Sequence, residues 1–358
     1  LTTGAYNTAV GYQALQNEDA TSANTALGFK ALYSMDGGLA GNTAVGAEAG
    51  FSLTNASGVV AIGYQASYSG TGADGVTAVG YGAGKFQTTA GYSTFVGYQA
   101  GQGITGAKLT GNNNTAVGKD AGLLLQGAAT NNTLIGATSG DAITTGTANT
   151  ALGGSALTGV NTGINNVGLG EGAGYNITSG DSNIIIGKDI TAASATADNQ
   201  LNIGGWIVGA TGQITKPYQP AFSVTVAAEQ TNIAINSDVT IVFGAETFDV
   251  GSNFTGNEFT APVTGKYQLN LMLRLDSIDS AANYYIVSFF TSNNSYRFIY
   301  DPGGFSGDLG YWSTNLSVLA DMDANDTVYI TVNQAAGTAQ TDVPNDANYT
   351  RFSGYLVA

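Results

Sequence analysis

The chain has 358 residues, a net charge of −15 from 25 acidic and 10 basic side chains, and 52 glycines. It contains no Cys and no His, which excludes disulfides, zinc fingers, thiol nucleophiles and Ser-His-Asp triads within the chain. The acidic balance argues against a nucleic-acid partner, because Lys and Arg contacts to phosphate supply most of that affinity. No apolar run approaches the roughly 20 residues that a membrane-spanning helix needs, so membrane insertion is not predicted.

A repeat of about 17 residues fills the first part of the chain. Its first copy contains Asn-Thr-Ala-Val-Gly at 7–11, and the closing glycine, here called the repeat glycine, recurs twelve times. The twelve positions are Gly11, Gly28, Gly46, Gly63, Gly80, Gly97, Gly118, Gly136, Gly153, Gly170, Gly187 and Gly204. Such regularity predicts stacked β coils, a β-roll or β-solenoid, in which the glycine supplies a positive φ or a close backbone approach. At about 4.8 Å per coil, eleven steps give a shaft on the order of 50 Å.

Three positions around the repeat glycine hold the same type of residue in most copies. Val, Leu or Ile precedes it in all twelve copies, which predicts a continuous buried aliphatic row. Ala follows three residues after it in nine copies, which predicts a tight inner corner. Asn stands four residues before it in eight copies: Asn7, Asn24, Asn42, Asn114, Asn132, Asn149, Asn166 and Asn183. Stacked Asn side chains predict an amide ladder, with axial ion binding as the functional alternative.

The run Asn-Thr-Ala-Val-Gly-Tyr-Gln-Ala at 7–14 resembles the repeats of phage tail fibres and tailspikes, and also the head repeats of trimeric autotransporter adhesins. The resemblance covers residues 1–208 and implies a homotrimeric β shaft. The adhesin repeats are shorter, so the phage-like form fits better. Whether the three chains form separate coils or intertwine is left open.

A change of composition follows the last repeat. The period stops after Gly204, and residues 209–216 are predicted to be a neck. Pro217 and Pro220 come next, two of five prolines in the chain, and residues 217–358 hold ten of the 14 Phe and ten of the 19 Tyr. The predicted domains are therefore a repetitive β shaft at 1–208, a neck at 209–216 and a head at 217–358.

The sequence of the head predicts many short strands separated by turns. The segments 239–243, 267–273, 284–290 and 328–332 are rich in β-forming residues, and Asn, Asp, Gly and Ser clusters lie between them. This pattern favours an all-β sandwich or jelly roll.

Four motifs in the head also occur in one known family. They are Pro-Ala-Phe-Ser at 220–223, Phe-Thr-Ala-Pro-Val-Thr-Gly-Lys-Tyr at 259–267, Leu-Ser-Val-Leu at 316–319 before Asn-Asp-Thr-Val-Tyr at 325–329, and Phe-Ser-Gly-Tyr-Leu at 352–356. In this order they resemble the C1q/TNF-like jelly roll over residues 217–358. The family usually has Gly-Asp where Asn325 and Asp326 stand, and Asn tolerates the positive φ of such a turn. The resemblance implies a compact homotrimer with aromatic residues along its threefold contact, and binding rather than catalysis.

Two loops of the head are candidates for receptor binding. The segment 301–312 is too rich in glycine to be a strand, and it places aromatic rings beside carboxylates, a combination suited to sugars. The segment 337–349 is the second candidate, because loops on rigid scaffolds often carry function. The predicted receptor-binding residues are Asp301, Phe305, Asp308, Tyr311, Trp312, Asp342, Asp346 and Tyr349.

A cluster of carboxylates at Asp321, Asp323 and Asp326 resembles the start of a calcium loop. The sixth position is Asp326 rather than Gly and the twelfth is Val332 rather than Glu, so an EF-hand is rejected. Calcium is the one candidate cofactor, and a solvated turn is the alternative.

The predicted function is that of a non-enzymatic structural fibre and receptor-binding protein, a bacteriophage tail fibre on the virion. The alternative is a bacterial trimeric surface adhesin or an extracellular appendage subunit. The predicted partners are two further copies of the chain, a host cell-surface glycan or protein receptor, and other tail or baseplate proteins bound through a region that precedes Leu1. Carboxylate pairs for hydrolysis are formally available, but nothing marks any pair as special in so acidic a chain.

Overall fold

The computed structural model describes residues 4–18, 23–36, 41–210 and 213–357. The chain forms two compact units, Leu1–Lys216 and Pro217–Ala358, here called the solenoid unit and the sandwich unit. Among the described residues the one helical segment is a short 3-10 turn, Pro302–Gly304, so the fold is all-β as predicted.

The solenoid unit is built on twelve three-residue strands that pair in parallel, each in register with the next. They are β1 (Thr8–Val10), β2 (Thr25–Leu27), β3 (Thr43–Val45), β4 (Val60–Ile62), β5 (Thr77–Val79), β6 (Thr94–Val96), β7 (Thr115–Val117), β8 (Thr133–Ile135), β9 (Thr150–Leu152), β10 (Val167–Leu169), β11 (Ile184–Ile186) and β12 (Leu201–Ile203). The predicted β-solenoid of about 17-residue period is thereby confirmed.

The parallel repeat ends at β12, where the sheet continues as an antiparallel hairpin. Strand β13 (Ile207–Ala210) pairs with β12, and β14 (Gln213–Thr215) pairs with β13. The segment expected to be a neck therefore contributes strands to the solenoid sheet.

The core of the solenoid unit is rich in Ala, with larger side chains such as Phe95 and Leu134 among them. The middle residue of most strands is fully buried, as at Ala44, Ala116 and Ala151. The Ala three residues after the repeat glycine is also buried in most coils, as at Ala66 and Ala121. The predicted tight inner corner is confirmed.

The predicted buried aliphatic row is wrong, because these side chains lie on the outside of the sheet. Leu27 is 47% exposed, Leu152 is 46% exposed, and Val117 is only partly buried. Side chains alternate across a strand, and the middle residue of most strands faces the interior, so the residues on either side of it point outward.

The repeat glycine is required by both conformation and space. At Gly136, φ is +132°, a region that only glycine adopts readily. A Cβ atom there would lie 2.4 Å from the carbonyl oxygen of Gly153 in the next coil. Both contributions predicted for this glycine are therefore present.

The amide ladder is confirmed, and it runs from Asn114 to Gln200. At a typical rung, Asn149 Oδ1 accepts hydrogen bonds from the backbone N–H of Asn166 at 3.0 Å and from Asn166 Nδ2 at 3.1 Å. Asn166 Nδ2 also donates to the carbonyl oxygen of Gly180 at 2.8 Å. Since both lone pairs of the Asn149 amide oxygen are used, that rung has none left for an axial ion. A shorter stretch links Asn24 with Asn42 at 3.1 Å.

The sandwich unit is formed by two antiparallel sheets. Its strands are β15 (Ala221–Val226), β16 (Val239–Thr240), β17 (Phe243–Val250), β18 (Phe254–Thr255), β19 (Glu258–Thr260), β20 (Gly265–Ile278), β21 (Tyr284–Thr291), β22 (Ser295–Tyr300), β23 (Leu309–Met322), β24 (Thr327–Ala335) and β25 (Arg351–Leu356). One sheet has the order β17-β15-β25-β20-β23, and the other has the order β18-β19-β24-β21-β22 with β16 added beside β24. The predicted jelly roll is confirmed, although the strand expected at 239–243 is broken after Thr240.

Aromatic side chains fill the space between the two sheets. The ring of Phe222 lies 4.5 Å from that of Phe259 and 4.9 Å from that of Phe352, and all three are fully buried. Phe222 belongs to the first strand of the unit and Phe352 to the last, which pair side by side. Asn325 adopts a φ of +75°, as expected from the turn that it replaces.

Candidate functional site

The outer face of the five-stranded sheet carries an exposed cluster centred on Arg274. Side chains alternate along β20, so that Leu273 and Leu275 are buried in the core while Arg274 and Asp276 point away from it. Antiparallel pairing places Asp276 opposite Tyr311 of β23. The strand pattern thus brings one cation, one carboxylate and one aromatic ring to the same patch of surface.

The Arg274 guanidinium is held in place by two carboxylates. Nε lies 2.7 Å from Asp276 Oδ1 and Nη2 lies 3.0 Å from Asp276 Oδ2, a bidentate pair made by residues two apart on one strand. Nη1 lies 3.6 Å from Asp346 Oδ2. The hydrogen bond to Asp276 raises the pKa of Arg274 above its usual value.

Two tyrosines flank this guanidinium. Its central carbon lies 5.2 Å from the ring centroid of Tyr311 and 5.8 Å from that of Tyr349. Tyr311 is 68% exposed and Tyr349 is 50% exposed, so both rings remain accessible to a ligand. We call Arg274, Asp276, Tyr311, Asp346 and Tyr349 the Arg274 cluster.

The loop that contributes Asp346 and Tyr349 is tied to the sheet by backbone bonds. The Asp276 N–H donates to the Asp342 carbonyl at 2.9 Å, and the Asp342 N–H donates to the Asp276 carbonyl at 3.0 Å. The Asp342 carboxylate accepts from the Asn232 N–H at 2.7 Å. Asp342 is therefore a positioning residue for the loop, and the cluster is held by a rigid scaffold rather than by a free loop.

The cluster suits a neutral, hydroxyl-rich ligand. Exposed tyrosine rings offer flat apolar faces, while the carboxylates and phenol groups offer hydrogen-bond acceptors and donors. One guanidinium faces two carboxylates, so the cluster has no positive excess with which to attract an anion.

Asp301, Phe305 and Asp308 make local contacts outside this cluster, and their receptor role stays a prediction. Asp301 caps the 3-10 turn by accepting from the Gly303 N–H at 2.8 Å. Asp308 accepts from the N–H and the hydroxyl of Ser280 at 2.8 and 2.7 Å. Phe305 is 43% exposed and packs beside Tyr300.

Trp312 lies away from this cluster. The expectation of a loop across 309–312 is wrong, because these residues begin β23. Trp312 points to the opposite side of that strand from Tyr311, stacks on Tyr300 with ring centroids 4.3 Å apart, and packs against the core of the sandwich unit. Two glycines at 307 and 310 suggested a loop, but strand pairing with β20 overrides their low β propensity.

The three aspartates proposed for calcium do not converge on one point. Asp321 pairs with Lys266 at 3.2 Å, and the Asp326 carboxylate accepts from the Asp323 N–H at 2.8 Å. Within the described residues, no group of three or more acidic, His or Cys side chains is placed to hold a metal ion. Calcium binding stays a prediction. In the same residues there is no helix with the length and apolar character needed to cross a membrane.

Arg274 and Asp276 were missed in the sequence, although a signal for them exists. Residues 267–276 have the sequence Tyr-Gln-Leu-Asn-Leu-Met-Leu-Arg-Leu-Asp, in which apolar and polar side chains alternate. The one exception is Met272, an apolar residue on the polar side. In such a strand an Arg and an Asp two residues apart share the outer face. That pairing could have been predicted from the pattern.

No known protein family matches the chain, and no curated protein matches it. Among solved structures, the globular domain of zebrafish complement 1qA protein is 16% identical, covers 39% of this chain and 98% of its own, and gives a TM-score of 0.29. Murine APRIL at pH 8.0 is 11% identical, covers 39% of this chain and 99% of its own, and gives a TM-score of 0.30.

Proposed function

We propose that this chain is the subunit of an extracellular homotrimeric fibre, a bacteriophage tail fibre, whose sandwich unit recognises a receptor on the host cell surface. The observation that carries the recognition role is the Arg274 cluster, two exposed tyrosines fixed around one guanidinium on a rigid sheet. The solenoid unit supports the fibre role, because its coils repeat the same short strand and offer little chemical variety for recognition.

The proposed receptor is a neutral surface glycan. Residues 217–358 contain 14 acidic and 4 basic side chains, a net charge of −10 that a trimer would triple. Such a charge disfavours anionic surfaces at low salt, and the repulsion decreases as salt screens it. A protein receptor remains an outcome that the binding test distinguishes.

The test measures binding of the labelled full chain to bacterial cells and to arrayed neutral and anionic glycans. Tyr311→Ala and Tyr349→Ala are each expected to lower affinity about tenfold, because each removes a ring that flanks the guanidinium. Tyr12→Ala is the matched control, since Tyr12 is 69% exposed but belongs to the solenoid unit, and it is expected to bind like the unchanged chain.

Native mass measurement of the same samples is expected to give three chains. Unchanged binding of both cluster variants, with the trimer retained, would place recognition elsewhere. Imaging of the native particle decides between a virion tail and the alternative, a bacterial surface adhesin.

A further inference from the structure

The outer face of the solenoid sheet carries a row of aliphatic side chains along its whole length. In most of the strands β1–β12 the first and last residues point outward while the middle residue is buried, as in β2, β4 and β8. We call these first and last residues of β1–β12 the outer stripe. Six of its last residues are exposed, with Leu152 at 46% and Leu169 at 40%, and the other six are partly exposed.

The composition of the outer stripe is more uniform than that of the core. The last residue is Val, Leu or Ile in all twelve strands, the first is Thr, Val, Ile or Leu, and neither position holds a charge. The buried Asn column, by contrast, is interrupted by Val59, Val76 and Ser93. β propensity favours Thr and Tyr as well as Val and Ile at an exposed strand position, yet the last position holds only Val, Leu or Ile in all twelve strands. A contact with a second molecule would explain why these outward positions are restricted to aliphatic residues.

The area of the outer stripe is also consistent with a binding surface. Twelve strands at about 4.8 Å give a length of roughly 55 Å, and a width of about 10 Å gives an area on the order of 500 Å². The largest apolar patch on a typical monomer is of this size and is often functional.

A second copy of this chain is the occupant that fits. The outer stripe repeats once per coil along all twelve strands, so only a surface with the same axial period meets every rung. An irregular partner would match a few rungs and leave the rest exposed. Charges of the solenoid unit lie off the stripe, as with Lys188 and Glu171, which pair with each other at 3.2 Å just past the repeat glycine. Copies can therefore approach without bringing like charges together.

We propose that the outer stripe is the contact surface between copies of the chain, which pack with equivalent coils at the same level. The inference rests on the proposed homotrimer and adds the surface through which it forms. A closed threefold arrangement presents the same stripe of every copy to the common axis.

The absence of native Cys allows a direct test by cross-linking. Leu152→Cys places one thiol on the outer stripe, and Thr145→Cys places one at another exposed position of the same coil. A short bis-maleimide is added to dilute full-length protein, and covalent dimers are measured on a denaturing gel. Packed sheets lie about 10 Å apart, so Leu152→Cys is expected to give at least about fivefold more dimer than Thr145→Cys.

Leu152→Glu tests the same surface without a reagent. On the isolated chain this exposed change would be mild, but against a second copy it would bury like charges in a dry contact. The variant is expected to dissociate on dilution while far-UV circular dichroism stays unchanged, and Thr145→Glu is expected to remain trimeric.

The outcomes separate the two proposals. A trimer in which Leu152→Cys shows no preference over Thr145→Cys, or in which Leu152→Glu has no effect, overturns the assigned surface but leaves the fibre. A monomeric unchanged chain overturns both the trimer and the surface.

Discussion

The two units of this chain build β-sheets from opposite kinds of core. The solenoid unit buries small residues such as Ala44 and Ala116 and relies on hydrogen bonds between neighbouring coils. The sandwich unit buries large rings such as Phe222 and Phe352 between two sheets. The difference teaches that the solenoid unit combines hydrogen-bond ladders with a core rich in Ala, while the sandwich unit depends on large rings packed between two sheets.

The two units also differ in how far each contact reaches along the sequence. Each solenoid strand pairs only with the coils before and after it. The sandwich unit closes by pairing β15 with β25, which lie more than a hundred residues apart. Damage in the solenoid unit is therefore expected to stay local, whereas damage in the sandwich unit is expected to affect the whole unit.

The largest expected effect comes from Phe352→Ala. This ring contacts Phe222, Phe243, Phe254 and Phe289, so its loss leaves a cavity at the centre of the sandwich core. The free energy of unfolding is expected to fall by about 3–5 kcal/mol. Thermal unfolding followed by near-UV circular dichroism measures it.

Phe305→Ala is the control for this change, because Phe305 is 43% exposed, and its effect is expected to stay below about 1 kcal/mol. Equal losses in the two variants would contradict an apolar core as the main source of stability in this unit.

The next effect concerns the amide ladder. Asn149→Ala leaves two donors of Asn166 and the carbonyl oxygen of Gly163 without their partner. Unsatisfied buried groups make a loss of about 2–3 kcal/mol the expected result. Hydrogen exchange of the Asn166 amide is expected to accelerate, while amides several coils away keep their protection.

Thr145→Ala is the control, since Thr145 is exposed and lies in the same coil as Asn149. Loss of protection along the whole solenoid unit in Asn149→Ala would contradict the local character of its contacts.

The smallest effect concerns a buried carboxylate in the sandwich unit. Burial alone would raise the pKa of Asp279, but the backbone N–H groups of Ala339, Ala281 and Thr338 donate to it and hold its pKa below the ordinary value. A lowered pKa in the folded state stabilises the fold above the unfolded pKa of about 4, and this contribution disappears as the pH falls through the folded pKa.

Asp279→Asn is therefore expected to lower stability by about 2 kcal/mol at pH 7 and by less at pH 3, because the unchanged chain has by then lost part of the advantage. Melting temperatures at both pH values provide the measurement. Asp323→Asn, at an exposed carboxylate, is expected to change neither value. A gap between Asp279→Asn and the unchanged chain that widens toward pH 3 would contradict the assigned sign.

The candidate site was predicted in part. Tyr311, Asp346 and Tyr349 were identified on two separate segments, because aromatic and acidic residues near turns are typical of binding loops. Their meeting around Arg274 could not be predicted, since it depends on the pairing of β20 with β23 and on the backbone contact of Asp276 with Asp342. The same pairing turned Trp312 inward, onto Tyr300.

The sequence by itself determined the period of the solenoid, the residues that stack on one another, and the change of architecture near residue 217. A repeat with constant spacing aligns equivalent residues in successive coils whatever the coil's cross-section. The tertiary structure decided which way each stacked row points. Ala116 and Val117 are adjacent and both apolar, and a shift of one residue exchanges the two faces of a strand. The middle residue of most strands faces the interior of the coil, whether it is Ala116 or Phe95, and this orientation, which the sequence does not display, left the aliphatic row on the outside.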